Sequence, residues 1–276
     1  MTNAVILGCG YVGKAVAQRW QQLELNVTAT TTTATRISEL EPLANRVVIV
    51  RGDDAVGVKS LLSNQHVVLL SIGSPNADAY EATYLQTAKT LVSVLEDLPS
   101  VQQIIYTGSY AVYGDYGGDW VDETTPVKPA NRNGEILAET ERILLSAANS
   151  SRNVCILRLG GIYGPGRELV KIFRRVAGTT RPGSRTDAAN WVHLDDIVGA
   201  IDFARQHSLN GIYNLVGSVP ITTGELLEQV CAAYNLPAVS WDESQPSLRP
   251  YNARVSNQKL RDAGYSFLYP ETQAEM

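Results

Sequence analysis

Cysteine, histidine, phenylalanine and methionine are scarce in this chain of 276 residues, with three, three, three and two copies. Cys9, Cys155 and Cys231 fall in a loop, a predicted strand and a predicted helix, with no CxxC or Cys/His spacing suited to zinc. That pattern excludes a disulfide scaffold and a zinc module, so the thiols are expected to be reduced and buried, and no metal site is predicted. The first strand begins at about residue 3 with no basic segment before it, and no apolar run is long enough to span a bilayer. No signal peptide or transmembrane helix is therefore predicted, and a cytoplasmic protein is expected. Long basic runs are missing too. With a net charge of −5, that argues against a nucleic-acid or membrane-surface partner. The local exception, Lys171, Arg174, Arg175, Arg181 and Arg185, has the spacing of a solvated helix face, with an anionic-substrate role as the alternative reading.

What is present is enough for a full core. The chain is 44% hydrophobic and 18% charged, and its length suits one large domain or one domain plus a small lobe. Strand candidates are Ala4–Leu7, Asn26–Thr30, Arg46–Arg51, His66–Ile72, Gln103–Gly108 and Val154–Leu159, mostly runs of Val, Ile and Leu without period-2 alternation. Such runs fit strands buried on both faces of a parallel sheet. Helical spacing lies between them, as in Tyr84, Ala88, Leu91 and Leu95 or Ile136, Thr140, Ile143 and Leu144. The alternation predicts a doubly wound α/β fold of the Rossmann type. After Gly160 the pattern loosens into Gly/Pro loops and short elements, with helices expected near Leu194–Gln206, Thr223–Tyr234 and Ser256–Ala263. The predicted division is a dinucleotide-binding domain over residues 1–165 and a small substrate lobe over 166–276, with a stretch at about 190–215 returning to the main sheet.

The most informative segment is Asn3-Ala-Val-Ile-Leu-Gly-Cys-Gly-Tyr-Val-Gly13, a strand running into three glycines and then a helix. Gly8 turns the chain off the strand, Gly10 lets backbone amides approach a pyrophosphate, and Gly13 lets helix and strand pack closely. The anion would lie against the positive end of the helix, so Gly8, Gly10, Tyr11, Val12 and Gly13 are the expected cradle. At the end of the second strand an Asp or Glu usually bonds the ribose 2′-hydroxyl and disfavours a 2′-phosphate. Here the chain reads four threonines, Thr30 to Thr33, then Ala34, Thr35 and Arg36. Thr30 supplies a hydroxyl and Arg36 a charge-assisted partner for a phosphate, which favours NADP, with NAD the alternative.

Several blocks together resemble the extended and atypical short-chain dehydrogenases/reductases, the NAD-dependent epimerase/dehydratase family. They are GCGYVG at 8–13, Arg51-Gly-Asp53, Tyr106-Thr-Gly-Ser-Tyr-Ala-Val-Tyr-Gly114, Val121-Asp-Glu-Thr-Thr-Pro126, Leu157–Arg167, Trp191-Val-His-Leu-Asp-Asp-Ile-Val198 and Gly211-Ile-Tyr-Asn-Leu215. The resemblance implies Asp53 near the adenine, Ser71 and its neighbours along the cofactor channel, and Ser109 at the catalytic Ser/Thr position. It also implies a small-molecule substrate, and a homodimer through helices near residues 79–97 and 134–148 by analogy.

One departure matters. The family's tyrosine moves a proton while a lysine four residues on lowers its pKa, because a phenol near pKa 10 is a poor base at neutral pH without a neighbouring cation. Counting back from Ala138-Glu139 puts Asn131 and Glu135 at those positions, and no tyrosine of the chain has a lysine four residues later. Tyr113 and Glu135 are the alternative proton-handling candidates beside Ser109, against plainer roles as a packing residue and a helix-start acid. Tyr163 and Arg167, in GIYGPGR, are the candidate substrate contacts. The resemblance implies a structural His193 that, with Asp195 or Asp196, ties the small lobe to the main domain. Two functions compete: an NADP-dependent oxidoreductase or epimerase-like enzyme, and a coenzyme-binding sensor or assembly factor without turnover.

Overall fold

The computed structural model describes residues 1–74, 76 and 78–275. The chain forms two compact units, each assembled from separated stretches. Met1–Ser109, Arg132–Arg158 and Val198–Tyr213 make the first, and Tyr110–Asn131, Leu159–Ile197 and Asn214–Met276 the second. The chain thus passes between the units several times: Tyr110–Asn131 falls in the second unit although it lies well before residue 165, and Val198–Tyr213 falls in the first.

The first unit is built on β1 (Asn3–Leu7), β2 (Asn26–Thr31), β3 (Arg46–Ile49), β4 (Val67–Leu70), β5 (Gln103–Ser109), β6 (Asn153–Leu159) and β7 (Gly211–Leu215). They form one seven-stranded sheet in the order 3-2-1-4-5-6-7. β1 pairs in parallel with both β2 and β4, Ala4 lying opposite Val27 on one side and Val67 on the other. Ala4, Val5 and Ile6 are wholly buried, as expected for a strand covered on both faces. The strand order reverses between β1 and β4, and crevices at the carboxyl ends of strands flanking such a reversal are where ligands collect in open α/β sheets.

The helices of the first unit include α1 (Tyr11–Gln22), α2 (Ile37–Leu40), α3 (Ala55–Leu62), α4 (Thr87–Val94) and α5 (Arg132–Leu145), and most of the helix Leu194–Gln206 also belongs to it. α1 buries Val12, Val16, Ala17 and Trp20, a stripe at helical spacing with the indole wholly enclosed. Ala88, Leu91 and Leu95 are buried as their spacing predicts, while Tyr84 falls in a π-helical turn, Ala82–Gln86, that leads into α4. Such single wide turns re-aim one side of a helix and recur near functional sites.

The second unit uses short strand pairs. Trp191–His193 pairs with Gly161–Tyr163, and Arg254–Val255 with Trp120–Val121. One core cluster gathers Tyr163, Leu169, Phe173, Trp191, Leu226, Leu227 and Val230, and another gathers Tyr110, Tyr113, Val121, Val216, Ala253 and Val255. The helix Thr223–Ala233 starts with a capping box between Thr222 and Glu225. Of the basic stretch, Lys171 pairs with Glu168 and Arg185 with Glu228 at the surface, whereas Arg181 is half-buried against the Trp241 ring. No helix among the described residues is long and apolar enough to cross a membrane.

Candidate functional site

The cleft of the first unit begins where β1 ends. Gly8 has φ +89°, and a side-chain carbon there would stand 2.5 Å from the Ser71 carbonyl oxygen, just beyond β4. One at Gly13 would stand 2.6 Å from the Gly8 carbonyl oxygen. Both glycines are therefore demanded by the protein's own packing. Gly10 is different: its φ is −85° and nothing lies within 4 Å of where a Cβ would project. Gly73, beyond β4, likewise faces open space.

Thr30 holds this loop from beneath. Its buried hydroxyl donates to the Ile6 carbonyl at 3.0 Å and accepts from the Gly8 amide at 3.1 Å, while the Cys9 amide donates to the Thr30 carbonyl at 3.3 Å. The Thr30 hydroxyl thus serves the loop itself. Val12 is buried, so of that residue the backbone is what the cleft can use. Burial pushes the Cys9 thiol up to about 11 in spite of Arg36 and Lys14, so it stays protonated at neutral pH.

The cleft encloses about 310 Å³ and is lined by Gly8, Thr30, Thr31, Thr32, Arg51 and Asp53 on one side and Ile72, Gly73, Ala82, Thr83 and Thr87 on the other. Arg51 and Asp53 form a two-pronged pair at 3.0 and 2.9 Å, and Arg51 holds the Asp53 carboxyl below its ordinary range. Above the glycine loop the Arg36 Nη2 donates to the Cys9 carbonyl at 3.0 Å. Its Nε donates to Glu39 Oε2 at 3.0 Å, and Lys14 Nζ reaches Glu39 Oε1 at 2.5 Å. Glu39 and Lys14 are absent from the sequence-based candidates. Glu39 lies one helical turn after Arg36 and is legible as its partner, but Lys14 is 25 positions away and only the fold brings it in.

These residues fit a dinucleotide. An amide-lined loop at the start of a twelve-residue helix, with vacant space beside Gly10, suits a pyrophosphate, and a wall of threonines and charged side chains at the ends of β2 and β3 suits an adenosine ribose.

The remaining candidates differ in burial and in partners. Ser109 ends β5 and is half-buried, two residues beyond Thr107, whose hydroxyl donates to Leu70 O at 3.4 Å. Tyr113 belongs to the second unit, where its ring is wholly buried and its phenol donates to Asn214 Oδ1 at 2.9 Å. Glu135 lies on the exposed side of α5 in an ion pair with Arg132. In the second unit Tyr163 is buried, with its phenol oxygen accepting from the Gln273 amide at 3.1 Å, while Arg167 is exposed in a tight turn with Gly164. His193 is buried between Tyr163 and Tyr269, its Nδ1 accepting from the Asp195 amide at 3.2 Å. Asp196 accepts from the Leu268 amide at 2.7 Å and the Tyr269 amide at 2.9 Å.

On α5 the inward acid is Glu141, not Glu139, which is half-exposed and paired with Arg142. Counting from Glu141 instead of Glu139 moves the tyrosine and lysine positions to Asn133 and Leu137. The pair is missing in either register.

Comparison with known proteins agrees with this geometry. The pattern of the NAD dependent epimerase/dehydratase family matches residues 4–216, and the chain belongs to that family. It is 29% identical over 284 residues to Protein YeeZ of Escherichia coli K12, covering 98% of this chain and 97% of that one. Solved structures share the fold, two of them as follows. The UDP-glucuronic acid 4-epimerase of Bacillus cereus, crystallised with a fluorinated UDP-glucuronic acid and NAD, aligns over 99% of this chain and 95% of its own with a TM-score of 0.79 and 16% identity. The UDP-glucose 4-epimerase of Thermus thermophilus, in complex with NAD, aligns over 96% and 94% with a TM-score of 0.79 and 22% identity.

Proposed function

We propose that the first unit binds NADP and that the protein is an oxidoreductase or epimerase-like enzyme acting on a small polar substrate without a tyrosine–lysine pair. The observation that carries this reading is the open space beside Gly10, where a side chain would meet no other part of the protein. The coenzyme, when bound, supplies a hydride donor or acceptor. Gly8, Gly10, Tyr11 and Gly13 offer backbone to its pyrophosphate, Thr31, Thr32 and Arg36 its adenosine ribose, Asp53 its adenine, and Ser71 to Gly73 the channel beyond.

In this reading Ser109 is the polar group that bonds the substrate oxygen and orients it, as hydroxyls at strand ends in such sheets do. Tyr113, with its phenol on Asn214, contributes packing; Glu135, ion-paired with Arg132, supports the start of α5. Arg167, being exposed, is the substrate-side residue of GIYGPGR, and Tyr163 steadies the loop from below. Since solved relatives of the fold act on or bind nucleotide sugars, these compounds head the substrate panel.

The missing pair supports a second reading, coenzyme binding without turnover. Fluorescence titration with NADPH and NADH, followed by incubation with carbonyl compounds and nucleotide sugars, separates the two. The enzyme reading expects NADPH to bind more tightly than NADH and turnover to fall at least tenfold in Ser109→Ala with binding retained. Tight NADPH binding with no turnover across the panel favours the second reading, and binding of neither coenzyme overturns both.

A further inference from the structure

We propose that Glu39 is the residue that sets coenzyme preference, by occupying the two cations that a ribose 2′-phosphate would otherwise receive; the inference rests on the NADP reading above. The short segment after β2 carries Arg36 at the end of a turn and Glu39 in α2, so both side chains return toward α1. There the two Glu39 oxygens are divided between partners, Oε1 to Lys14 and Oε2 to Arg36. Lys14, Arg36 and Glu39 are each about one-third to two-fifths exposed, so all three are accessible from solvent.

The engagement of Arg36 is specific. Its Nε is on Glu39 and its Nη2 on the Cys9 carbonyl, so the side-on edge of the guanidinium, one of those that grip an oxyanion with two parallel bonds, is already engaged inside the protein. Lys14 and Arg36 in turn hold the Glu39 carboxyl below its ordinary range, so it is ionised throughout the neutral region. The trio therefore carries one net positive charge, where the two cations alone would carry two. A phosphate monoester brings a charge of about −2 at neutral pH. It is attracted by Lys14 and Arg36, repelled by Glu39, and must compete with that carboxylate for the Arg36 Nε. NADH, with a neutral 2′-hydroxyl, meets none of these terms directly.

The consequence is a discrimination smaller than a lone arginine would give. Glu39→Gln keeps the side-chain size and one oxygen to accept a hydrogen bond while removing the charge. It is expected to tighten NADPH binding about tenfold at low salt while NADH stays within about twofold. The gain should shrink severalfold at high salt, where the exposed charges are screened.

The test is fluorescence titration of NADPH and NADH against wild type, Glu39→Gln, Arg36→Met and the double variant, at two salt concentrations. Support requires the NADPH-selective gain in Glu39→Gln and its disappearance when Arg36 is also replaced. An NADPH-to-NADH ratio unchanged by Glu39→Gln overturns the proposal while leaving the NADP reading intact. So does weaker NADPH binding, which would make Glu39 a buttress for Arg36. Wild type that binds neither coenzyme removes the NADP reading itself, a result seen before any variant is compared.

Discussion

Arg158 and Glu141 face each other inside the first unit, Nη2 standing 2.7 Å from Oε2 with both side chains only 4% exposed. Arg158 Nε lies within 3.2 Å of both carboxylate oxygens, so the pair is two-pronged, and Glu141 Oε1 is also 3.2 Å from where a Cβ on Gly108 would be. The pair thus packs α5 against β5 and β6 directly behind the strand that ends in Ser109.

Removing one partner strands a buried charge. Glu141→Ala is expected to destabilise the protein by about 3–5 kcal/mol, whereas Glu141→Leu combined with Arg158→Met should recover most of that loss. Chemical denaturation of the two variants and wild type checks both statements; equal losses in single and double variants would contradict them.

The two kinds of glycine in the loop predict opposite outcomes. Gly13→Ala should cost about 1–3 kcal/mol of stability, because its methyl group meets the Gly8 carbonyl. Gly10→Ala should leave the melting temperature nearly unchanged and weaken coenzyme binding at least tenfold, because its methyl group fills the space a pyrophosphate needs. A melting curve and a fluorescence titration on each variant suffice.

Thr30→Val keeps the shape of the side chain and removes the hydroxyl that joins Ile6 to Gly8. A loss of about 1–3 kcal/mol is expected from the unpaired groups left behind. Hydrogen exchange should show the Gly8 amide losing protection selectively, with amides of β5 unaffected.

His193 makes the second unit sensitive to acid. Burial lowers its pKa from the ordinary value of about 6.5, outweighing the opposing pull of Asp195 and Asp196. Below about pH 6.5 the unfolded chain therefore takes up a proton that the folded one refuses, and stability falls as the pH drops, by at most about 1.4 kcal/mol per pH unit from this group. Melting temperatures between pH 7.5 and 5 should decline more steeply for wild type than for His193→Gln; parallel curves would contradict this.

Much of the first unit was legible in the residues. Uninterrupted Val, Ile and Leu runs marked the strands, buried on both faces in β1 and β4 but not in the exposed β3, and the Gly8, Gly10 and Gly13 spacing located the loop, since each follows from a steric demand that operates over a few residues. Periodicity reports a face and not a partner, however. It gave no sign that Lys14 would meet Glu39, that the Tyr113 phenol would end on Asn214, or that Glu141 would turn inward while Glu139 stayed out. The place of 110–131 in the second unit was illegible for the same reason, because that stretch resembles an ordinary loop until its partners near residues 216 and 253–255 are known.

That interleaving has a consequence for biosynthesis. β7 completes the first unit with residues from position 211 onward, and Asp196 in the second waits for the amides of Leu268 and Tyr269. Neither unit can close while the ribosome is still translating the middle of the message. The nascent chain must carry an unfinished sheet for most of its synthesis, exposing the strand edge on which chaperones and aggregation compete.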